Sequence, residues 1–262
     1  MLKRDWSQCK VLVTGASSGI GEAICKQLAE RGATVLATAR REERLRALSE
    51  QDGLPGRIHY IAGDITSPEH RAILAAWIER EWGALDILIN NAGSGAIGRF
   101  DEASSDRLRK IMEVDFFASV ELTRTCLPLM RAGVHPTILN IGSVLSHVAV
   151  PLKSEYCAAK FALRGWAESI RTELDSQGIH VLMLSPSTTK SEFFNSLIDT
   201  TPDAESKSFG AMSPERVAQA AIRSLERRRR DAILSLGGKA LVWCGRLVPG
   251  ILDRVLRKSA TK

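Results

Sequence analysis

Short apolar runs alternate along this chain with stretches in which apolar residues recur every three or four positions. Val11, Leu12 and Val13 open the pattern without a polar break, as in a strand covered on both faces. Beyond a glycine-rich turn, Ile20, Ile24 and Leu28 fall at helical spacing, and Gly32 stands where a helix ends. Thr34–Thr38, Arg57–Ile61, Leu85–Ile89, Thr137–Ile141, Ile179–Leu184 and Ala232–Leu236 repeat the strand signal. Between them the helical spacing predicts helices over Arg41–Glu50, from Ser67 to about Trp82, from about Ser105 to Met130 and from about Ser154 to Ser176. Pro68 and Glu69 sit where helix starts prefer them, and Ser213-Pro214-Glu215 begins another helix. On the long 105–130 segment, Leu108, Ile111, Met112, Phe116, Val120 and Leu127 form one broad apolar face.

Strand and helix alternating in this way predict an α/β fold: a single doubly wound, Rossmann-type domain with a seven-stranded parallel sheet and helices on both faces. No internal repeat and no Gly/Ser/Pro linker divides residues 1–236, and residues 237–262 form a tail of different character. The chain of 262 residues is long enough to bury a large core without disulfides or metal. Its five cysteines show no C-x-x-C pairing, and Cys25 and Cys126 fall in apolar helical patterns, as buried thiols in a reducing compartment do. No secretory signal opens the chain, and no run approaches the about 18 apolar residues of a membrane span. The expected location is cytoplasmic.

Charge changes the picture at one end only. Residues 237–262 hold Lys239, Arg246, Arg254, Arg257, Lys258 and Lys262 against Asp253 alone, so nearly all of the chain's net charge of +6 lies there. The sequence pI of 9.2 therefore describes the tail, and nothing in the body supplies the basic stripe of a nucleic-acid-binding domain.

The candidate chemistry begins in the first turn. In Thr14-Gly-Ala-Ser-Ser-Gly-Ile-Gly21, Gly15 suits a tight turn, Gly19 lets backbone approach a pyrophosphate, and Gly21 lets helix and strand pack closely. The helix N-terminus offers its free N–H groups to the phosphates. The spacing G-x-x-x-G-x-G differs from the common dinucleotide fingerprint, and the whole string resembles the cofactor loop of the classical branch of the short-chain dehydrogenase/reductase family. Tyr156 and Lys160, four apart at a helix start, and Ser143 at the end of a predicted strand continue the likeness to about Phe193.

The resemblance implies that Tyr156 is the acid/base, Ser143 holds the substrate oxygen, and Lys160 binds the ribose hydroxyls while favouring the phenolate. A free phenol titrates near pH 10, and each unit of lowering is worth about 1.4 kcal/mol. It also implies that Asp64 and Ile65 flank the adenine, and that Asn91, Ala92, Gly93, Pro186, Thr189 and Ser191 line the cofactor cleft. After the second strand, Ala39-Arg40-Arg41 offers two guanidinium forks and no carboxylate, which suits a ribose 2′-phosphate; Ser17 and Ser18 can assist, and Ile20 follows in the same loop. NADP(H) is the expected cofactor, and no metal is expected.

Two positions depart from the family pattern. Asp115 stands where most members carry Asn beside the lysine; ionised, it can accept but not donate hydrogen bonds. In Ser185-Pro186-Ser187-Thr188-Thr189-Lys190-Ser191 the usual glycine after proline is missing, and Ser191 replaces a threonine.

Residues 187–212, with Phe193, Phe194, Leu197, Ile198 and Phe209, predict a lid, and the loop 144–153 adds Val144, Leu145, Val148, Val150 and Leu152. The expected substrate is therefore an apolar alcohol, ketone or aldehyde; the same residues could instead pack on one another. His147 reads as an ordinary loop histidine. Helices 105–130 and 154–176 imply, by the resemblance, a homodimer or homotetramer. In the tail, Ala240, Leu241, Trp243, Cys244, Leu247, Val248, Ile251, Leu252, Val255 and Leu256 recur at three- and four-residue steps, broken into two helices at Pro249-Gly250. Such a basic amphipathic segment docks either on the body of the protein or, peripherally, on an anionic membrane. The rival to an enzyme is a nucleotide-sensing or membrane-associated scaffold with the same fold; the presence of Ser143, Tyr156 and Lys160 favours the enzyme.

Overall fold

A computed structural model describes residues 4–189, 197–198 and 211–260. Its seven strands are β1 (Lys10–Thr14), β2 (Thr34–Ala39), β3 (Arg57–Ala62), β4 (Ile87–Asn90), β5 (Thr137–Ile141), β6 (His180–Ser185) and β7 (Asp231–Ile233). They form one sheet in the order β3-β2-β1-β4-β5-β6-β7, with every pairing parallel. The order reverses at β1, so the crevice between the carboxyl ends of β1 and β4 is where an open α/β sheet receives a ligand.

The helices are α1 (Gly19–Ala29), α2 (Glu42–Ser49), α3 (Pro68–Trp82), α4 (Ser105–Met112), α5 (Ala118–Arg131), α6 (Ser154–Asp175), α7 (Pro214–Arg227), α8 (Leu236–Leu247) and α9 (Pro249–Ala260). Alternate residues of β1 look to opposite sides. Val11 and Val13 join a core with Ile24 and Leu28 of α1 and Val217 and Ile222 of α7; Leu12 joins another with Leu74 of α3, Leu122 of α5 and Ala167 of α6. Two buried layers explain why the strands carry unbroken apolar runs. Cys9, Cys25, Cys126 and Cys157 are buried, while Cys244 is exposed.

The expected 105–130 helix departs from the sequence reading. Between α4 and α5, Glu113–Phe117 widens into a π-helical turn, and this extra residue in the turn rotates the register. Arg107 and Ile111 face inward; Leu108 is exposed, and Met112, Phe116, Val120 and Leu127 are only half-buried. β4 begins at Ile87; the Leu85 N–H donates to the Leu129 carbonyl at the end of α5 instead of to a neighbouring strand. β7 ends at Ile233, and Leu236 already belongs to α8. In the tail the break falls at Val248; Pro249 heads α9, where its missing N–H costs no helical bond. Among the described residues, no helix is long and apolar enough to cross a membrane.

Candidate active site

At the carboxyl end of β1 the chain turns through Gly15 (φ 64°) and Gly19 (φ 56°), both in the left-handed region that side chains disfavour. A Cβ on Gly21 would strike the Gly15 carbonyl and the Asn91 amide, so this glycine is required by close packing. The Asn91 side chain donates to the Thr14 carbonyl at 2.9 Å and to the Gly15 carbonyl at 3.3 Å. Thr14, to which the sequence reading gave no role, fastens the neighbouring loop: its hydroxyl oxygen accepts from the backbone N–H of Asn91 and of Ala92, both at 2.9 Å. A threonine closing a buried strand just before the glycine turn was the available signal.

The N-cap of α1, Ser18, makes no capping bond with its side chain. Its hydroxyl accepts from Arg41 Nη2 at 2.6 Å, while Ser17 Oγ accepts from Arg41 Nε at 3.1 Å. Arg41 is thereby drawn over the glycine turn, and Ile20 packs behind it against the core. Arg40 is exposed. Burial works to raise the Asp64 carboxyl, but the Thr66 N–H and hydroxyl, each 2.9 Å from Oδ1, together with the Arg40 charge, bring it below the usual range. Ile65 is half-buried, and its carbonyl accepts from Arg71 Nη1 at 2.8 Å. A backbone cradle at a helix N-terminus, with the Arg41 guanidinium beside it, fits the phosphates of a dinucleotide.

The second group of residues gathers at the carboxyl ends of β5 and β6. Ser143 follows β5 and caps a short turn, Val144–Ser146: its Oγ accepts from the Leu145 N–H at 3.1 Å, and its own N–H donates to Ser146 Oγ at 3.1 Å. Val144 N–H donates to the Pro186 carbonyl at 2.9 Å, which joins this turn to the segment after β6. Tyr156 and Lys160 share one side of α6, with Lys160 Nζ 5.5 Å from the Tyr156 ring centroid. The Tyr156 hydroxyl is hydrogen-bonded to Ser143. Burial raises the phenol's pKa and the Asp115 charge adds to this, the Ser143 bond opposing both, so Tyr156 is protonated near neutrality.

Asp115 is fully buried in the π-helical turn. Its Oδ1 accepts from the Ser94 N–H at 2.6 Å, and its Oδ2 lies 3.6 Å from Lys160 Nζ. Burial pushes this carboxyl up, and Lys160 draws it back. Lys160 Nζ also reaches the Ile141 carbonyl at 3.5 Å. A Cβ on Gly93 would lie 3.1 Å from Asp115 Oδ1 and 3.4 Å from Lys160 Nζ, so that glycine lets the loop after β4 close onto the pair. Ser94 had no role in the sequence reading, and only its place after the Asn91-Ala92-Gly93 run could have suggested one.

Two further features escaped that reading. Arg107 of α4 and Glu155, the neighbour of Tyr156, form a buried ion pair at 2.7 Å, with only 2% and 5% of their side chains exposed. Arg107 donates through both Nε and Nη2 to one carboxylate oxygen, and Ser154 Oγ donates to the other at 2.8 Å. Both partners are charged surface types by sequence, so their burial was not legible. His147, expected to be an ordinary loop residue, is buried, with Nε2 hydrogen-bonded to Ser185 Oγ at 2.9 Å. Thr189 forms a parallel bridge with Met212. Ser191, Phe193, Phe194, Phe209 and most of the expected lid lie outside the described residues.

Comparison with known proteins agrees with this geometry. The family model of short chain dehydrogenases matches residues 10–202. An uncharacterized oxidoreductase of Bacillus subtilis, YxnA, is 31% identical over 95% of this chain and 71% of its own. The dehydrogenase/reductase SDR family member 7B of Mus musculus is 29% identical over 96% of this chain and 81% of its own. Among solved structures, a short-chain dehydrogenase from Streptomyces avermitilis is 29% identical, with a TM-score of 0.78, covering 97% of this chain and 94% of that one. One from Burkholderia cenocepacia, solved in complex with NADP, shares the fold with a TM-score of 0.81 at 24% identity, over 97% and 99% of the two chains. This chain belongs to the short-chain dehydrogenase/reductase family of oxidoreductases.

Proposed function

We propose that the protein is an NADP(H)-dependent oxidoreductase that interconverts a carbonyl and an alcohol on a hydrophobic small molecule. The observation that carries this reading is the Ser143–Tyr156–Lys160 cluster, standing at the same edge of the sheet as the glycine cradle. A nicotinamide cofactor bound in this cleft would supply the hydride to the substrate carbon in reduction, or accept it in oxidation. Tyr156 donates its hydroxyl proton to the carbonyl oxygen during reduction and takes it back from the alcohol during oxidation. Ser143 hydrogen-bonds the same oxygen and holds it beside Tyr156. Lys160 binds the ribose hydroxyls and stabilises the phenolate left after proton donation. Asp115, with Ser94 behind it, fixes the ammonium in place.

Gly15, Ser17, Ser18, Gly19, Ile20 and Gly21 hold the pyrophosphate side, Asp64 and Ile65 flank the adenine, and Asn91, Ala92, Gly93, Pro186, Thr189 and Ser191 line the rest of the cleft. Arg41, held by Ser17 and Ser18, and Arg40 beside it bind the 2′-phosphate. The exposed Leu108, Phe117 and Phe161, on α4, the π turn and α6, support a homodimer or homotetramer assembled through these helices. A peripheral contact of the tail with anionic membrane belongs to the same reading.

Cofactor choice tests it. Each charge-assisted hydrogen bond is worth about 1.5–3 kcal/mol, so Arg40→Ala with Arg41→Ala is expected to weaken NADPH binding tenfold or more and to leave NADH binding unchanged. Equal weakening of both cofactors, or a wild-type preference for NADH, contradicts the assignment.

A further inference from the structure

The tail helices have two unlike sides. On the inner side, Val242 is buried against Val144 and Val148, with Leu241 and Leu252 packed beside them, so α8 rests on the turn that follows Ser143. On the outer side of α8, Leu236, Ala240, Trp243 and Leu247 recur at steps of four, three and four residues and fall on one stripe. That stripe is exposed: Trp243 is 58% and Leu247 71% accessible, and on α9 Ile251 and Val255 are likewise exposed, at 59% and 61%. A helical wheel places Lys239 and Arg246 along one border of the stripe in α8, and Arg254 along the corresponding border in α9.

An exposed apolar strip with a tryptophan and a basic margin is not a typical solvated surface, because water would leave its apolar area unburied. Docking on the protein's own body does not account for it either, since the inner side already supplies that contact. Net positive charge at the margin selects an anionic surface over a neutral one.

We propose that the outer face of α8 and α9 is an interfacial anchor seated on an anionic lipid bilayer, and that the enzyme takes its substrate from that bilayer. The second half rests on the function proposed above. Because the inner side of α8 bears on the turn after Ser143, the anchor sets the carboxyl edge of the sheet beside the lipid. The substrate class is then a carbonyl or alcohol carried on a long apolar chain that resides in the membrane.

The experiment uses full-length protein with vesicles of phosphatidylcholine alone or mixed with phosphatidylserine. Wild type is expected to sediment with the mixed vesicles, to release as salt rises, and to bind phosphatidylcholine at least tenfold less well. Trp243→Gln with Leu247→Gln and Ile251→Gln should lower that binding tenfold or more. In the same samples, NADPH consumption is followed with a long-chain 2-ketone dissolved in the vesicles and with a short water-soluble 2-ketone. The triple variant should lose activity on the vesicle-borne ketone at least tenfold and keep activity on the soluble one. Binding to neither vesicle, or binding that the triple variant retains, overturns the anchor. If the variant instead converts a dimer to a monomer without any vesicle binding, the face is an interface between copies. Equal activity of the two proteins on the vesicle-borne ketone overturns the substrate claim alone. Turnover of neither ketone by wild type counts against the proposed function, while sedimentation still decides the anchor.

Discussion

The environment of Tyr156 and the tail helices lie close together in the fold, yet they are built in opposite ways. Around Tyr156 the charges are inside. Glu155 pairs with Arg107, Asp115 faces Lys160, and each sits in a nearly water-free setting on elements packed against the sheet. In α8 and α9 a set of large apolar groups is outside, while Leu241, Val242 and Leu252 join the helices to the body. Buried charges are held where geometry must be fixed, because losing either partner strands the other in low dielectric. Exposed apolar groups contribute little to the isolated fold; their value depends on what they meet.

That contrast is sharpest in stability. Glu155→Ala leaves the Arg107 guanidinium buried without its carboxylate, and the expected loss is about 3–5 kcal/mol in chemical denaturation, accompanied by reduced activity as the first turn of α6 loosens. A loss under about 1 kcal/mol would mean that the pair is not closed as described.

A smaller effect is expected at Asp115. Its folded-state pKa is raised by burial, so the ionised form is penalised, and the stability linked to its protonation is present at low pH and lost as pH rises through the folded value. Asp115→Asn removes that dependence. The variant should match wild type at acid pH and gain on it as pH rises, because the penalty on the ionised carboxyl is gone while an amide oxygen can still accept from the Ser94 N–H and face Lys160. A variant less stable at neutral pH than at acid pH, relative to wild type, would show that the attraction to Lys160 outweighs the cost of burial.

The smallest effect is expected in the tail. Trp243→Gln, Leu247→Gln and Ile251→Gln should each change stability by no more than about 0.5 kcal/mol, since these side chains are exposed. Unfolding of the variant would erase the contrast and assign the outer face to the core.

The parts of the molecule governed by local rules were legible in the sequence. Unbroken apolar runs give strands buried on two faces, and Val11, Leu12 and Val13 divide between two cores as such a run requires. The glycine turn was legible because glycine adopts left-handed angles without the strain a side chain would add, and because a Cβ at Gly15 or Gly21 would meet its neighbours too closely. What was hidden depends on tertiary context. The π turn at Glu113–Phe117 is one residue of altered register with no compositional mark, and with it the expected apolar face of the 105–130 segment is only partly buried. Arg107 and Glu155 are surface types by composition, and their pairing joins residues 48 positions apart. His147 has no apolar or helical pattern to announce the Ser185 contact that buries it. The tail's periodicity was plain, but a period alone cannot say which side of a helix meets protein and which meets solvent.

The most direct test of the account is the rate of NADPH consumption with an apolar ketone by wild type and by Tyr156→Phe, alongside NADPH binding by both. Removing the transferable proton should lower turnover by about 10²–10⁴-fold while NADPH affinity stays within about twofold of wild type. Turnover by Tyr156→Phe close to the wild-type rate would contradict the role of Tyr156, and with it the reading of this cluster as the catalytic centre.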